Sequence, residues 1–225
     1  MIQIHSTAHA AANGQKFLVY GGAGVGKTPL IATLAEYSPI IGSAEAGLLS
    51  LAQYNLPYVL IDTVAQLREF YQWVAGSHEA RQFGCPCLDS VSEIGEVILA
   101  KEKKATKDPR RAYGEMMDQV VAIVRDFRDL PGRHVYITAK EEFVKEEQTG
   151  MLKYQPMMPG SKLGPQLPYF FDYVFRMKRW IDPATKQDFR VLQCKPSLDA
   201  IARDRGGRLQ EYESADLGAI IKKIQ

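Results

Sequence analysis

The segment from Gly21 to Thr28 has the residue types and the spacing that bind the phosphates of a nucleotide. It reads Gly-Gly-Ala-Gly-Val-Gly-Lys-Thr and satisfies the pattern G-x-x-x-x-G-K-[ST]. The glycines allow successive backbone N–H groups to turn inward around a β-phosphate. Lys27 has the reach to contact the β- and γ-phosphates, and the Thr28 hydroxyl is a ligand for Mg²⁺. The predicted phosphate-binding residues are Gly21, Gly22, Ala23, Gly24, Val25, Gly26, Lys27 and Thr28.

This pattern is specific only where a strand precedes it and a helix follows it. The apolar run Phe17–Tyr20 predicts a buried strand, and apolar residues at helical spacing within 27–37 predict a helix. The N-terminus of that helix would add a favourable dipole for a phosphate. The sequence therefore predicts the phosphate loop in the context that it requires.

Pro29 departs from the usual form of such a loop. Proline has no backbone N–H, so this position cannot give the α-phosphate the hydrogen bond that loops of this kind normally offer. Proline is sterically acceptable in a first helical turn, so the loop should still fold. We expect the nucleotide to be held mainly through its β- and γ-phosphates.

The rest of the chain alternates between predicted strands and helices, as in an α/β sheet. Strands are predicted at 39–42, 58–62, 85–89 and 134–139, and those at 39–42 and 58–62 are expected to be buried. Helices are predicted at 64–74, 91–100, 113–130 and 217–224. The charged segment 101–111 predicts a loop, and two alternating segments, 173–181 and 189–194, predict an antiparallel hairpin. We predict a single domain over residues 1–225, with an N-terminal extension at 1–14 and a long loop, containing one hairpin, at 143–168.

A second acid is expected at the end of a neighbouring strand, where it would hold Mg²⁺ through water. Asp89 is our choice, although Pro86 interrupts its strand and cannot donate a ladder hydrogen bond. Asp62 follows the more regular apolar run Tyr58–Ile61 and is the alternative. Either aspartate could instead cap the helix that follows it.

The composition excludes several classes of protein. The chain has 225 residues, of which 46% are hydrophobic and 24% charged, as in soluble globular proteins rather than disordered or fibrous ones. Residues 1–100 carry 4 Lys+Arg and 8 Asp+Glu, and the remaining residues carry 24 and 18, which gives the overall +2. A balance so close to neutral argues against a histone-like polyanion binder. It leaves room for a local basic patch in the second half.

The cysteines and the N-terminus predict the compartment. Cys85, Cys87 and Cys194 form no CxxC pair and have no histidine at metal-ligand spacing, so neither a zinc site nor a disulfide framework is expected. The first 13 residues lack the pattern of a signal peptide, and no stretch approaches a membrane span. We expect a soluble cytoplasmic protein with no membrane partner.

Beyond the phosphate loop, the order of several motifs resembles the phage-encoded RecA-like P-loop ATPases of the single-strand annealing and recombination class. The resemblance runs from about residue 15 to 215. The motifs are Ile40-Ile-Gly-Ser-Ala-Glu45-Ala-Gly47, Leu88-Asp-Ser-Val-Ser-Glu93, Val135-Tyr-Ile-Thr-Ala-Lys-Glu-Glu142, Tyr154-Gln-Pro-Met-Met-Pro-Gly160 and Phe171-Asp-Tyr-Val-Phe175. The resemblance implies a RecA-like α/β fold, ATP as the nucleotide and, for a phage protein, the cytoplasm of a bacterial host.

The resemblance also assigns roles within the site. It places the Mg²⁺ acid at Asp89 rather than Asp62. It implies that Glu45 polarises the attacking water, with Glu93 as the alternative base. It places at Thr138, taken as the end of its strand, a polar residue that senses the γ-phosphate. The resemblance further implies that Arg203 and Arg205, in Ala-Arg-Asp-Arg, reach the γ-phosphate of a neighbouring subunit in a ring or filament.

Basic and aromatic residues are interleaved between 151 and 180, as in a groove for single-stranded nucleic acid. Most of these aromatic residues alternate as in a strand and are expected in the core. Lys153, Tyr154 and Lys162 lie in the long loop that the resemblance associates with DNA contact. They are the candidate DNA-binding residues.

Together these features predict a Mg²⁺-dependent ATPase that acts on single-stranded DNA in phage recombination, as a homo-oligomer and with a single-strand binding protein as a further partner. Two alternatives stay open. A non-hydrolysing, nucleotide-dependent switch or assembly module is favoured by Pro29 and by the interrupted strand before Asp89. A small-molecule kinase would share the loop and could use 101–111 as a lid, but the sequence shows no acceptor-binding signature.

Overall fold

The computed structural model describes residues 14–45, 47–145 and 150–225. Its strands are β1 (Lys16–Gly21), β2 (Pro39–Ser43), β3 (Tyr58–Leu60), β4 (Cys85–Asp89), β5 (Val135–Lys145), β6 (Leu152–Met157), β7 (Tyr173–Ile181), β8 (Asp188–Gln193), β9 (Arg203–Asp204) and β10 (Tyr212–Ser214). Its α-helices are α1 (Val64–Gly76), α2 (Val91–Ala105), α3 (Pro109–Arg128), α4 (Leu163–Gln166) and α5 (Leu217–Ile224). Four 3-10 helical segments span Pro29–Tyr37, Gly47–Tyr54, Glu79–Gln82 and Leu167–Phe170. Of the predicted N-terminal extension, only Gly14 lies within the described residues.

The strands of the described residues form one sheet in the order β10-β8-β7-β1-β5-β4-β2-β3, with β6 beside β5 and β9 beside β7. From β7 to β3 along this order, neighbouring strands are parallel. β7 and β8 form an antiparallel hairpin. The predicted α/β class, with a mostly parallel sheet and a C-terminal antiparallel hairpin, is confirmed.

Apolar clusters cover both faces of the sheet, because successive strand residues point to opposite sides. Leu18 and Tyr20 of β1 pack with residues of α1, α2 and α3 in one cluster. Phe17 and Val19 pack with the 3-10 helix that follows the phosphate loop and with α5 in the other. Burial on both faces explains why the parallel strands read as continuous apolar runs.

The charged segment 101–111, predicted as a loop, is helical over most of its length. α2 continues to Ala105, since lysine and glutamate are good helix formers. α3 begins at Pro109, where the missing N–H of proline costs nothing, and the Asp108 side chain caps it by accepting a hydrogen bond from the Arg110 N–H. The prediction of a loop over 101–111 is therefore wrong, and only residues 106–108 connect the two helices.

One strand lies where it was predicted despite its proline, and another differs from its prediction. β4, made doubtful by Pro86, is fully buried between β2 and β5. It pairs with β2 along its whole length but with β5 only at Cys87 and Leu88, so Pro86 lies outside the ladder with β5. β3, predicted to be buried, is instead an edge strand with all three residues exposed, because it has a neighbouring strand on one side only.

The stretch 143–168, predicted as a long loop with one hairpin, contains that hairpin. β5 extends to Lys145, and β6 returns antiparallel to it from Leu152. The helical turn α4 and the 3-10 helix Leu167–Phe170 follow before β7. None of the helices in the described ranges has the length and apolar character needed to cross a bilayer.

Candidate nucleotide-binding site

The phosphate loop follows β1 at the carboxyl end of the parallel strands. Two of its glycines, Gly24 with φ +70° and Gly26 with φ +111°, adopt backbone conformations that side chains disfavour. The 3-10 helix beginning at Pro29 follows the loop directly. The local sequence therefore produces the strand, loop and helical turn that a phosphate-binding loop requires, although the helix is of the 3-10 type rather than the predicted α-helix.

The Lys27 ammonium lies over the loop that it belongs to. Its Nζ donates hydrogen bonds to the carbonyl oxygens of Gly21 at 2.8 Å and Gly22 at 3.0 Å. Burial lowers the pKa of Lys27, while the nearby carboxylates of Glu45 and Asp89 raise it. The side chain is thus held at the loop, where its charge is suited to a phosphate.

Tyr136 holds the backbone of the loop through a hydrogen bond, and the sequence did not indicate this role. Its side chain is fully buried on β5, and its hydroxyl donates a hydrogen bond of 2.8 Å to the Lys27 carbonyl oxygen. Burial raises the pKa of this hydroxyl far above its usual value, so it stays a donor. In the sequence Tyr136 is one aromatic residue in an apolar run, and nothing there indicates a polar contact with a loop more than 100 residues away.

Asp89 lies directly beside the phosphate loop. It ends β4, is 1% exposed, and accepts hydrogen bonds from the hydroxyl of Thr28 at 2.6 Å and from that of Thr138 at 2.5 Å. Burial raises the pKa of the Asp89 carboxyl, and these two hydrogen bonds lower it. The alternative acid, Asp62, is exposed, and its backbone N–H bonds the Gln66 side chain at the start of α1. The structure thus places Asp89 at the loop and Asp62 outside the site.

The position of Thr138 differs from the one predicted. β5 continues seven residues past it, so Thr138 does not end its strand. The side chain is fully buried, and its hydroxyl is directed to Asp89 rather than into the open site. Register pairs Gly21 with Lys140, so Lys140 is the β5 residue level with the start of the loop. The Thr138 hydroxyl is thus bonded to the buried carboxylate, and Lys140 is the residue of β5 that lines the cavity at the loop.

Glu45 and Glu93, the two candidate bases, are held differently. Glu45 follows β2 and accepts a hydrogen bond from the Ser90 hydroxyl. The Glu93 carboxylate forms a 2.5 Å ion pair with the Lys140 ammonium, which lies 3.8 Å from the Glu45 carboxylate. Ser90 also caps α2 by accepting from the Glu93 N–H. Both carboxylates therefore lie beside the Lys140 ammonium, Glu93 at the shorter distance, and of the two only Glu45 lines the cavity at the loop.

Lys27, Thr28 and Glu45 line one open cavity of about 620 Å³ at the carboxyl end of the sheet, and Asp89 lies buried beside it, hydrogen-bonded to Thr28. The wall of this cavity includes residues of the phosphate loop, one charged residue that follows β2, two charged residues within β5, and one arginine from β8. The lining residues include Lys27, Thr28, Glu45, Lys140, Glu141 and Arg190. Lys140 and Arg190, like Ser90 and Tyr136, were absent from the sequence-based site. Only register and long-range packing bring them to the loop.

The donor set at Thr28 and Asp89 fits a magnesium ion. Mg²⁺ takes oxygen ligands, usually one or two from the protein with phosphate oxygens and water completing the shell. The Thr28 hydroxyl and the Asp89 carboxylate are hydrogen-bonded to each other and lie next to the phosphate loop. Within the described part of the chain, no group of three or more His, Cys, Asp or Glu side chains is arranged to hold a metal alone. A site of this kind would therefore depend on the phosphates of a nucleotide.

Arg203 and Arg205 lie at the other end of the sheet from the phosphate loop. Arg203 on β9 pairs with Val174 near the start of β7, and its guanidinium donates to the Phe171 carbonyl oxygen. Arg205 forms a 2.7 Å ion pair with Asp172. Neither side chain is near the loop of its own chain, so any contact with a γ-phosphate would have to be made in a neighbouring subunit.

The candidate DNA-binding residues lie on and after β6. The half-buried Tyr154 ring has the Arg176 guanidinium 3.4 Å from its centre and the Phe143 ring at 4.3 Å. Lys153 precedes it on the same strand, and Lys162 is exposed just before α4. Lys153 and Tyr154 are consecutive on β6, so their side chains point to opposite faces of the strand, and Lys162 follows the hairpin.

Comparison with known proteins identifies the family. A family model described as an AAA domain matches residues 13–206. No curated protein matches the sequence. Among solved structures, a RadB recombinase aligns over 90% of this chain and 88% of its own, with 16% identity and a TM-score of 0.49. A KaiC-like protein from the hyperthermophilic archaeon Pyrococcus horikoshii aligns over 80% of this chain and 79% of its own, with 14% identity and a TM-score of 0.45. Because the family match spans most of the sequence and includes the phosphate loop and Asp89, this chain belongs to the AAA domain family of P-loop ATPases.

Proposed function

We propose that this protein binds Mg²⁺·ATP and hydrolyses it, and that it does so on single-stranded DNA in phage recombination. The observation that carries the nucleotide part is that Lys27, Thr28 and Glu45 line one cavity, with the buried Asp89 carboxylate hydrogen-bonded to the Thr28 hydroxyl beside it. Lys27 and Thr28 lie in the loop after β1, Glu45 follows β2 and Asp89 ends β4, and the parallel sheet brings these segments together. Such an arrangement supplies a phosphate cradle, a metal-binding pair and a base.

The residues have distinct tasks in this proposal. The backbone N–H groups of the loop and the Lys27 ammonium bind the β- and γ-phosphates. The Thr28 hydroxyl and the Asp89 carboxylate would hold Mg²⁺, which when bound neutralises charge on the phosphates. Thr138 and Tyr136 act indirectly, since Thr138 fixes the Asp89 carboxylate and Tyr136 fixes the Lys27 carbonyl.

Hydrolysis requires a water in line with the γ-phosphate. Glu45 would accept a proton from this water as its oxygen bonds to the γ-phosphorus, while the bond to the oxygen bridging to the β-phosphate breaks. The Ser90 hydroxyl, which donates to Glu45, orients that carboxylate. Lys140 lies beside both Glu45 and Glu93 and would stabilise negative charge on the transferred phosphoryl group.

The DNA and assembly parts of the proposal rest on the second half of the chain. Lys153, Tyr154 and Lys162 would contact single-stranded DNA by charge and by stacking. Arg203 and Arg205 lie far from their own loop, which is consistent with a role at the nucleotide of a neighbouring subunit in a homo-oligomer. Such an arrangement would make turnover depend on assembly.

A non-hydrolysing nucleotide switch is the second candidate, and Pro29 favours it. The missing N–H at this position removes one phosphate contact that a rapid ATPase of this type would normally make. No observation favours the kinase alternative, and the segment 101–111 considered as its lid is mostly helix rather than loop.

Phosphate release from Mg²⁺·ATP, measured with and without single-stranded DNA, tests this proposal. The native chain, Lys27→Ala and, as a control that removes the same charge from an exposed site, Lys107→Ala should be compared at two protein concentrations. We expect stimulation by the strand, loss in Lys27→Ala alone, and a rise steeper than linear with protein concentration. Nucleotide binding without turnover would favour the switch, and turnover indifferent to DNA would overturn the recombination part.

A further inference from the structure

An arginine of the β7–β8 hairpin lies against the phosphate loop. Arg190 is on β8, which is separated from β1 by β7 alone. A Cβ atom placed on Gly26 would be 2.8 Å from Nη1 and 3.2 Å from Cζ of Arg190. Gly26 therefore leaves the space that the guanidinium occupies, and any side chain at this position would displace it.

The surroundings of Arg190 leave its guanidinium available. Within residues 14–45, 47–145 and 150–225 it forms no hydrogen bond or ion pair. Arg179, its partner in register on β7, takes the nearby Asp188 carboxylate in an ion pair. The two carboxylates that line the cavity are engaged as well, since Glu141 pairs with Arg176 at 2.7 Å and Glu45 accepts from Ser90.

We propose that Arg190 binds the phosphates of the nucleotide from within the same chain, as a second cation beside Lys27. This inference rests on the proposed nucleotide site. A guanidinium presents paired N–H donors that match phosphate oxygens, and it keeps its charge at every physiological pH. Arg190 lines the same cavity as Lys27 and Thr28, so a phosphate chain in the loop comes within reach of both cations.

Arg190 also offsets a weakness of this particular loop. Pro29 lacks the backbone N–H that usually contributes to phosphate binding at this position. Arg190 adds side-chain donors at the same loop from a separate element of the fold. Its role differs from that proposed for Arg203 and Arg205, which lie at the opposite end of the sheet and would act only across a subunit boundary. The contribution of Arg190 should therefore persist in the monomer.

The test is a calorimetric titration of Mg²⁺·ATP into the native chain and into Arg190→Ala, Arg190→Lys and Lys27→Ala. Lys178→Ala is the matched control. Lys178→Ala removes the same charge from the same hairpin. Arg190 is paired with Arg179 of β7 and shares its face of the sheet, whereas the neighbouring Lys178 points to the opposite face. Loss of a charge-assisted contact predicts that Arg190→Ala weakens binding by about tenfold or more. Arg190→Lys should recover only part of this loss, and dilution of the protein should leave the ratio unchanged.

The outcomes separate this inference from the proposed function. Equal affinity in Arg190→Ala and Lys178→Ala, with binding lost in Lys27→Ala, would overturn the role of Arg190 and leave the nucleotide site standing. An effect of Arg190→Ala that appears only at high protein concentration would overturn its action within one chain. Absence of ATP binding by the native chain would refute both claims.

Discussion

Replacing Thr138 with valine should destabilise the protein through the buried carboxylate of Asp89. Both side chains are almost completely buried, and the Thr138 hydroxyl is one of two hydroxyl donors to that carboxylate. Valine preserves the shape of the side chain and removes only the donor. A hydrogen bond to a charged group contributes about 1.5–3 kcal/mol, so the free energy of unfolding should fall by about 2 kcal/mol at neutral pH.

The pH dependence gives this prediction a specific sign. Burial raises the folded-state pKa of Asp89 above its value in the unfolded chain, so the folded state binds this proton more tightly. Stability linked to Asp89 is therefore greatest below the unfolded pKa and is lost as pH rises through the folded pKa. Removal of the Thr138 donor raises the folded pKa further and enlarges that loss. The penalty of Thr138→Val should consequently be larger at pH 7.5 than at pH 4.5.

Urea denaturation at these two pH values measures the penalty directly. The same substitution in an Asp89→Asn background completes a double-mutant cycle, and there the penalty should shrink because no charge is left to stabilise. A penalty below about 0.5 kcal/mol at pH 7.5, or the same penalty at both pH values, would refute the assignment of Thr138 as the residue that stabilises ionised Asp89.

Two further predictions concern the nucleotide site. Glu45→Gln should lower the rate of phosphate release about 10²- to 10⁴-fold with ATP binding retained, because general-base catalysis contributes that much, whereas Glu93→Gln should change it far less; the reverse ranking in a steady-state assay would transfer the role to Glu93. Pro29→Ala should strengthen nucleotide binding in a calorimetric titration, because it restores a backbone N–H for the α-phosphate. Unchanged affinity would show that the missing N–H of Pro29 does not limit the affinity for the nucleotide.

The sequence predicted the elements around the site well, because hydrophobic periodicity and the phosphate loop are local signals. The strand and loop up to Thr28 and the hairpin of β7 and β8 lie where they were expected. The errors had two causes, tertiary context for β3 and an underrated local helix propensity for α2. β3 reads as a buried strand, yet its place at the sheet edge exposes it, and the helix-forming residues after Ala100 extend α2 through an apparent charged break.

The candidate site was only partly predictable, because several of its contacts depend on register. Asp89 and Glu45 were singled out through motif order, and both lie at the loop. Lys140 can be assigned to the site only once the pairing of Gly21 with Lys140 is known. Arg190 can be assigned to it only once β8 is known to lie two strands from β1. No local pattern marks either residue.

The central claim is that the phosphate loop and Asp89 form one Mg²⁺·nucleotide site, and the most direct test is multiple-turnover phosphate release as a function of Mg²⁺ concentration. The native chain should be compared with Asp89→Asn and with Asp62→Asn, which makes the same change at the competing, exposed aspartate. We predict that Asp89→Asn lowers turnover and shifts its Mg²⁺ dependence to higher concentration, while Asp62→Asn behaves as native. Native behaviour of Asp89→Asn, verified as folded, or loss of turnover in Asp62→Asn, would contradict this account.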